Sequence, residues 1–252
     1  MSQVLGHIEI LPDPLALAYH VAKWMTEAAT AGQSSFRVSL SGGSTPKTLY
    51  GLLASDEFRD RFPWQRVSWY WGDERFVPYD HPESNFRMTR EAMLAKAPVP
   101  RENIYPIPTD GTPEDAARRY ERTLQHTYGA ATLDPRRPLF DVTLLGLGPD
   151  GHTASLLPGE PALDERGHWV AAVAHGRPEV RITLTYPALE SSRRVAFLVA
   201  GEEKTAIFGA IRKGGSRVPA ARIRPVGELW WFVDQVAAGE GRGVGRTGAR
   251  SP

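Results

Sequence analysis

The sequence of 252 residues contains no cysteine. This absence excludes a disulfide framework, a thiolate metal site and a cysteine nucleophile. It suits a reducing compartment, and we therefore expect a cytoplasmic protein. Long apolar runs are also lacking, since no segment approaches the ~20 residues that a membrane-spanning helix needs. Residues 1–31 lack the charged start, apolar run and cleavage site of a signal peptide. We accordingly expect no membrane partner.

Net charge is small as well. The chain has 30 lysine and arginine residues against 29 aspartate and glutamate residues, which gives a formal net charge of +1 at pH 7. Such a balance produces no global field that would favour nucleic acid as a partner. Residues 239–252 are rich in glycine and arginine, and we interpret them as a flexible tail. The histidines show no metal-ligand spacing, so we expect no metal site.

Short apolar runs alternate with helical segments along the chain. Three helices are predicted to begin at Asp13-Pro14, Thr45-Pro46 and Thr112-Pro113, where a side-chain oxygen caps the helix and proline fits its first turn. This alternation predicts a single α/β domain over residues 1–238, with a mostly parallel sheet and helices on both faces. The predicted strands are residues 36–40, 67–71, 140–145, 195–199 and 229–233, with 170–173 as a weaker candidate.

Three unusual loops follow predicted strands. They comprise residues 41–45, 72–75 and 146–152. Ligands of open α/β sheets bind beyond the carboxyl ends of the strands. We therefore expect these loops to converge and to form the functional site.

The third loop matches G-x-G-x-x-G, the dinucleotide-binding fingerprint, at Gly146, Gly148 and Gly151. A true fingerprint opens a sustained helix after its third glycine. Here Pro158 and Gly159 leave room for barely two turns. We therefore expect no dinucleotide cofactor, and interpret the glycines as allowing the backbone to approach a small ligand.

The first loop, SGGSTPKT, resembles a P-loop only superficially, because Pro46 stands where the Walker pattern requires a glycine before the lysine. A simpler anion site remains, since a helix N-terminus and glycine N–H groups favour a phosphate monoester. The alternative is a tight turn without a ligand. The residues expected to bind phosphate are Gly42, Gly43, Ser44 and Thr45.

With these loops identified, the chain resembles the 6-phosphogluconolactonase family. The stretches SLSGGSTPKTLY, WYWGDERFVPYDHPESNFRM and LLGLGPDGHTASLLPG look like its three main signatures, and PEVRITLTYPAL and VAGEEKTAIF are similar to two later segments. The resemblance implies a Rossmann-like fold related to glucosamine-6-phosphate deaminases. It also implies cofactor-free hydrolysis of 6-phospho-D-glucono-1,5-lactone, a sugar phosphate substrate, in the oxidative pentose phosphate pathway.

His152 matches the family position that carries the general base. A lactone carbonyl is already electrophilic, so the enzyme chiefly needs to deprotonate water. The ordinary pKa of histidine, about 6.5, leaves much of the side chain neutral at physiological pH. We expect Asp150 to orient the imidazole or bind a sugar hydroxyl, with turn stabilisation as the alternative. Asp73 faces the same choice and is expected to be a site residue rather than a second base.

Arg181 and Lys204 match family segments that contribute to the phosphate site. Lys204 is also predicted to lie in the first turn of a helix, where a cation opposes the helix dipole unless an anion binds nearby. Glu202 and Glu203 offer an alternative compensation. Arg75 presents a planar fork of donors to phosphate, and pairing with Glu74 or Asp73 is its alternative role.

Two other functions fit the same scaffold. In the deaminase–isomerase relatives, the resemblance implies a glutamate five residues after the histidine, a position that Leu157 occupies here. Glu160 lies close enough to keep that alternative open. A non-catalytic sugar-phosphate sensor would need no base, which the retained His152 disfavours. For the oligomeric state we expect a monomer or a weak homodimer.

Overall fold

The computed structural model describes residues 5–32 and 35–240. Its main sheet has seven strands in the order β1-β10-β9-β6-β2-β3-β5, and every neighbouring pair is parallel. The strands are β1 His7–Leu11, β2 Phe36–Leu40, β3 Val67–Trp71, β5 Ile104–Tyr105, β6 Phe140–Gly146, β9 Ser192–Val199 and β10 Glu228–Asp234.

Helices cover both faces of this sheet, as predicted. In β9, five successive residues from Val195 to Val199 are buried, so side chains that point to opposite faces are all removed from water. The helices are α1 Pro14–Thr30, α2 Ser44–Leu53, α3 Asp56–Arg59, α4 Asn85–Thr89, α5 Pro113–Tyr128, α6 Tyr186–Glu190 and α7 Thr205–Arg212. Among the described residues, no helix is long and apolar enough to cross a membrane.

Two of the three predicted helix caps are confirmed. The Asp13 carboxylate accepts hydrogen bonds from the backbone N–H groups of Leu15 and Ala16, each at 2.8 Å. Thr112 accepts from the N–H of Asp115 at 3.2 Å. The prediction for Thr45 is wrong, because α2 begins at Ser44 and no side chain caps it. Its N-cap is Gly43, whose φ of 106° turns the chain into the helix early.

A second sheet was not predicted. Its three antiparallel strands, in the order β4-β8-β7, are β4 Asp73–Arg75, β7 Val170–Val173 and β8 Arg181–Leu184. We call it the small sheet. The weak strand candidate 170–173 is confirmed, although it lies here and not in the main sheet. Residues 73–75 are strand and not loop, because β8, distant in sequence, supplies the hydrogen-bond partners of β4.

The sequence predicts a tail over residues 239–252. From position 241 onward, this tail lies outside the described residues. The division of the chain into one domain and a tail stays a prediction.

Candidate active site

The three loops singled out in the sequence line one cleft, with a volume of about 240 Å³. The cleft lies where the carboxyl ends of β2, β3 and β6 meet the small sheet. Nine of the ten predicted site residues line it: residues 42–45, Asp73, Arg75, His152, Arg181 and Lys204. The tenth, Asp150, does not line the cleft and instead contacts His152 from outside it.

One wall of the cleft is the N-terminus of α2. Because Gly43 is the N-cap and no side chain satisfies the first turn, the N–H groups of Ser44 and Thr45 have no acceptor within the helix. The preceding turn is tight, since a Cβ atom on Gly42 would lie 2.1 Å from Oδ1 of Asn85. Glycine is therefore required for this approach, and the helix presents its positive end to the cleft.

Three cations line the same cleft as this helix end. The side chains of Arg181, Lys204 and Arg75 are 12%, 19% and 24% exposed. The buried Nε atoms of both arginines have no hydrogen-bond partner among the described residues. Burial lowers the pKa of the Arg181 guanidinium. These orphaned donors indicate a site for an anion.

Strand pairing brings the two arginines together, and each has an acidic side chain nearby, Glu179 Oε2 lying 3.9 Å from Arg181 Nη2. Arg75 of β4 and Arg181 of β8 are direct partners in an antiparallel ladder. Like charges directly opposite each other destabilise a sheet. Glu83 compensates Arg75 in part, since Arg75 Nη1 lies 2.5 Å from its carbonyl oxygen and 3.3 Å from its Oε2. Neither Glu74 nor Asp73 forms the ion pair with Arg75 that the sequence offered as an alternative.

Lys204 ends a 3-10 turn, Glu202–Lys204, whose N-cap is Gly201 and which runs directly into α7, so it lies in the first turn of a helical segment that begins near Gly201, as predicted. Its Nζ atom is 3.5 Å from Oε1 of Glu203. Glu203 therefore compensates the charge of Lys204, which is the alternative that the sequence left open. The pair leaves the ammonium group on the cleft wall beside the two arginines.

His152 is held at the cleft by a tight turn. The N–H of Gly148 donates to the carbonyl oxygen of His152 at 2.8 Å, and Gly151 takes a φ of 82° in between. A Cβ atom on Gly148 would lie 1.9 Å from the His152 Nδ1 atom. No helix forms over residues 152–160, as predicted. Of the three glycines of G-x-G-x-x-G, Gly148 thus makes room for the imidazole ring, whereas a Cβ atom on Gly151 would meet the side chain of Val218 at 2.4 Å.

The imidazole is oriented by Asp150. Its Nδ1 atom lies 2.5 Å from Oδ1 of Asp150, which also accepts the backbone N–H of His152 at 3.1 Å. When Nδ1 donates its proton to the carboxylate, Nε2 keeps the free lone pair and can act as a base. Burial raises the pKa of Asp150, but hydrogen bonds from His152 and Arg177 outweigh it and hold that pKa well below its usual range.

Asp73 is buried at the back of the cleft. Its Oδ2 accepts from the Ser155 hydroxyl at 2.6 Å, and Nδ2 of Asn85 lies 2.9 Å from its carbonyl oxygen and 3.5 Å from its Oδ1. The neighbouring Glu74 points away from the cleft and accepts the N–H groups of Arg75, Asn85 and Phe86 at 2.7–2.8 Å. Burial raises the pKa of Glu74. Glu74 therefore anchors the segment that carries Asn85.

A family model described as glucosamine-6-phosphate isomerases/6-phosphogluconolactonase matches residues 12–231. The chain belongs to this family. A 6-phosphogluconolactonase of Nostoc sp. is 39% identical over 240 residues, which are 92% of this chain and 97% of the relative. The crystal structure of 6-phosphogluconolactonase from Thermotoga maritima superposes with a TM-score of 0.77 at 31% identity, covering 90% of this chain and 99% of that one.

A monomeric glucosamine-6-phosphate deaminase is also similar, with a TM-score of 0.77 at 18% identity over 93% of this chain and 99% of that one. At this identity the likeness concerns the fold alone. The residues that distinguish the two activities must therefore be sought in the cleft. Leu157, at the position singled out in the sequence, is 2% exposed and does not line the cleft, and neither does Glu160.

Sequence reasoning missed three polar residues of the site. Asn85 lies in the quoted stretch WYWGDERFVPYDHPESNFRM, and the resemblance of that stretch could have identified it. Ser155 follows His152 closely but had no recognisable pattern of its own. Arg177, whose Nη2 atom lies 2.8 Å from Oδ2 of Asp150, comes from a loop of the small sheet that gave no signal at all.

Proposed function

We propose that this chain is a 6-phosphogluconolactonase, a carboxylic-ester hydrolase that converts 6-phospho-D-glucono-1,5-lactone and water to 6-phospho-D-gluconate in the oxidative pentose phosphate pathway. One observation carries the proposal. An anion site and a histidine whose Nδ1 is bound by a carboxylate open into the same cleft. The relatives named 6-phosphogluconolactonase support it.

The phosphate end of the substrate is assigned to the wall formed by α2 and the three cations. The N–H groups of Ser44 and Thr45 donate to phosphate oxygens, as do the two hydroxyls. Arg181 and Arg75 supply paired guanidinium donors, and Lys204 supplies a point charge. Binding of the phosphate dianion relieves the repulsion between the two arginines. The affinity for the substrate therefore depends on the phosphate end of the sugar.

The ester end is assigned to His152. Its Nε2 atom takes a proton from water as the water oxygen bonds to C1 of the lactone, which gives a tetrahedral intermediate. Collapse of the intermediate breaks the bond from C1 to the ring oxygen, and the imidazolium returns its proton to that oxygen as it leaves. The product acid then ionises at neutral pH. General acid–base help of this kind accelerates a reaction by roughly 10² to 10⁴.

Asp73 is assigned to positioning rather than to proton transfer. Its two carboxylate oxygens are directed at Ser155 and Asn85 and the side chain is buried. A group with these contacts is a poor base for a water at the ester carbon, and it contributes negative charge beside the arginines. It therefore helps to hold the two guanidinium groups at the phosphate.

A deaminase–isomerase of the same family is the second candidate. Ring opening of an amino sugar phosphate would need a proton relay, for which the resemblance implies a glutamate five residues after His152. Leu157 stands there and cannot transfer a proton. Glu160 lies near Gly176 in the loop beyond the cleft wall. These positions favour lactone hydrolysis.

The test uses two substrates in parallel. Freshly generated 6-phosphogluconolactone is supplied in weak buffer, and acid release is measured against the spontaneous rate. Glucosamine 6-phosphate is supplied separately, and ammonia is measured. We expect acid release only, with kcat lowered by roughly 10² to 10⁴ in His152→Ala while 6-phosphogluconate still binds. Ammonia release, or lactone turnover no faster than the spontaneous rate, contradicts the proposal.

The cytoplasmic location and the state of monomer or weak homodimer are part of the same proposal. They follow from the sequence alone. Size-exclusion chromatography with light scattering over a range of protein concentrations tests the oligomeric state, and microscopy of a tagged full-length chain tests the location.

A further inference from the structure

We propose that Arg177 is a positioning residue, which holds the Asp150 carboxylate against the Nδ1 side of His152 and so keeps Nε2 as the basic nitrogen. The inference rests on the proposed function for its consequence in catalysis. Its structural basis is a chain of three side chains, of which only His152 lines the cleft.

The contacts divide the two oxygens of Asp150 between two partners. Oδ1 faces His152 Nδ1 at 2.5 Å, and Oδ2 accepts from Nη2 of Arg177 at 2.8 Å. The Asp150 side chain is 37% exposed, so water competes for the carboxylate and leaves it free to rotate unless something fixes it. A guanidinium on the second oxygen removes that freedom. The carboxylate can then turn only one oxygen towards the ring.

Arg177 reaches Asp150 from a different part of the fold. It lies in the loop between β7 and β8 of the small sheet, whereas Asp150 and His152 lie in the loop after β6 of the main sheet. The preceding Gly176 has a φ of 80°, and its carbonyl oxygen accepts from Arg177 Nη1 at 3.0 Å. A side chain on Gly176 would meet Cδ1 of Leu157 at 3.0 Å, so the loop packs closely against the segment that follows His152.

The same geometry decides which nitrogen of the ring carries the proton. Nδ1 has two neighbours, the Asp150 carboxylate at 2.5 Å and Nη2 of Arg177 at 3.2 Å. Carboxylate oxygens accept and guanidinium nitrogens only donate. The shorter contact therefore places a proton on Nδ1, directed at Asp150. Without Arg177, Asp150 can turn to solvent, and the ring is free to adopt the tautomer with the proton on Nε2, which cannot take a proton from water.

The test combines kinetics with the tautomer of the ring. Arg177→Gln is expected to lower kcat by on the order of tenfold, with KM changed by less than about twofold, because it disturbs the base and not the phosphate site. Arg177→Lys should restore most of the loss. In the Asp150→Asn background, Arg177→Gln should have little further effect, since Arg177 acts through Asp150. The matched control is Arg136→Gln, which removes an exposed arginine from its pair with Asp134 at 3.0 Å and should leave kcat unchanged.

The tautomer can be determined without turnover from long-range ¹H–¹⁵N correlation spectra of histidine-labelled protein. The signal of His152 is assigned by comparison with the spectrum of His152→Gln. We expect the proton on Nδ1 in the parent chain and a mixture with Nε2–H in Arg177→Gln. The proposal is overturned by an unchanged tautomer, by an unchanged kcat in an active enzyme, or by an equal loss of kcat in both backgrounds. If the parent chain lacks lactonase activity, the proposed function fails, whereas the spectra still decide the role of Arg177.

Discussion

Gly148 and His152 lie so close together that a single methyl group on the glycine would overlap the imidazole, 1.9 Å from its Nδ1 atom. The same added atom would lie 2.7 Å from Oδ1 of Asp150. Backbone and ring are therefore packed against each other at the point where the hydrogen bond between Asp150 and His152 forms. The position of the imidazole depends on the absence of a side chain four residues earlier.

The first prediction is that Gly148→Ala displaces the ring and lowers kcat by roughly 10², because a shift of about 1 Å in a catalytic group has an effect of that size. The fold should persist, since the overlap is with the ends of two partly exposed side chains. Gly51→Ala is the matched control, because a Cβ atom there would meet nothing within 4 Å. Circular dichroism checks the fold. Equal turnover in the two variants contradicts the prediction.

The second prediction concerns the charge of Asp150. Hydrogen bonds from His152 and Arg177 hold the pKa of Asp150 well below its usual range, so this carboxylate is charged at neutral pH. Asp150→Asn removes that charge, so the ring loses its tautomer preference and kcat should fall by at least about tenfold. Initial rates at saturating lactone measure this.

The matched control is Asp134→Asn, because Asp134 also pairs with an arginine and accepts a backbone N–H two residues later, but lies away from the cleft. A kcat that is unchanged in Asp150→Asn, or lowered equally in both variants, speaks against the arrangement. The substitution leaves the other charged groups that share the cleft with His152 in place: Asp73, Arg75, Arg181, Glu203 and Lys204.

The third prediction separates binding from chemistry. Lys204→Ala removes one charged donor from the proposed phosphate site. This change should raise KM roughly ten- to hundredfold and change kcat little. Lys96→Ala, at an exposed position that does not line the cleft, should leave both constants unchanged. Initial rates over a range of lactone concentrations measure this. A loss confined to kcat would place Lys204 at the reacting carbon instead.

The fourth prediction concerns stability. Glu74→Ala leaves three N–H groups without the carboxylate that accepts them at 2.7–2.8 Å. Loss of the acceptor for one buried and two part-buried donors should lower the free energy of unfolding by about 2 to 4 kcal/mol. Urea denaturation measures the change in the free energy of unfolding. The control is Glu27→Ala at an exposed position, where we expect a change within about 0.5 kcal/mol. Similar urea midpoints for both variants would contradict the anchoring role of Glu74.

The central strands could be predicted from the sequence because burial on both faces leaves a continuous apolar run. The predicted bounds of β2 and β3 equal the observed ones. Strand β1, HIEIL, lies at the sheet edge with its residues exposed or half-buried, and β5 has only two residues, so neither produces such a run. Strand β4, with the sequence DER, has no strand propensity and exists because β8 pairs with it.

The site could be predicted as far as local patterns reach. Glycine turns after strands pointed to residues 42–45 and His152, the resemblance pointed to Arg181 and Lys204, and the structure brings these residues into one cleft. Arg177 lies 27 residues from its partner Asp150, in a loop without a pattern. Only the tertiary fold brings the loop between β7 and β8 against the loop after β6, and no local pattern in the sequence reports that contact.

The ladder between Arg75 and Arg181 leads us to expect a protein that is more stable with an anion in the cleft than without one. Two like charges on paired strands oppose the pairing of β4 with β8, and a dianion bound between them should strengthen it. We therefore expect ligand occupancy and the integrity of the small sheet to be thermodynamically linked. Inorganic phosphate alone, which carries no reacting ester, should therefore raise the melting temperature of the whole molecule.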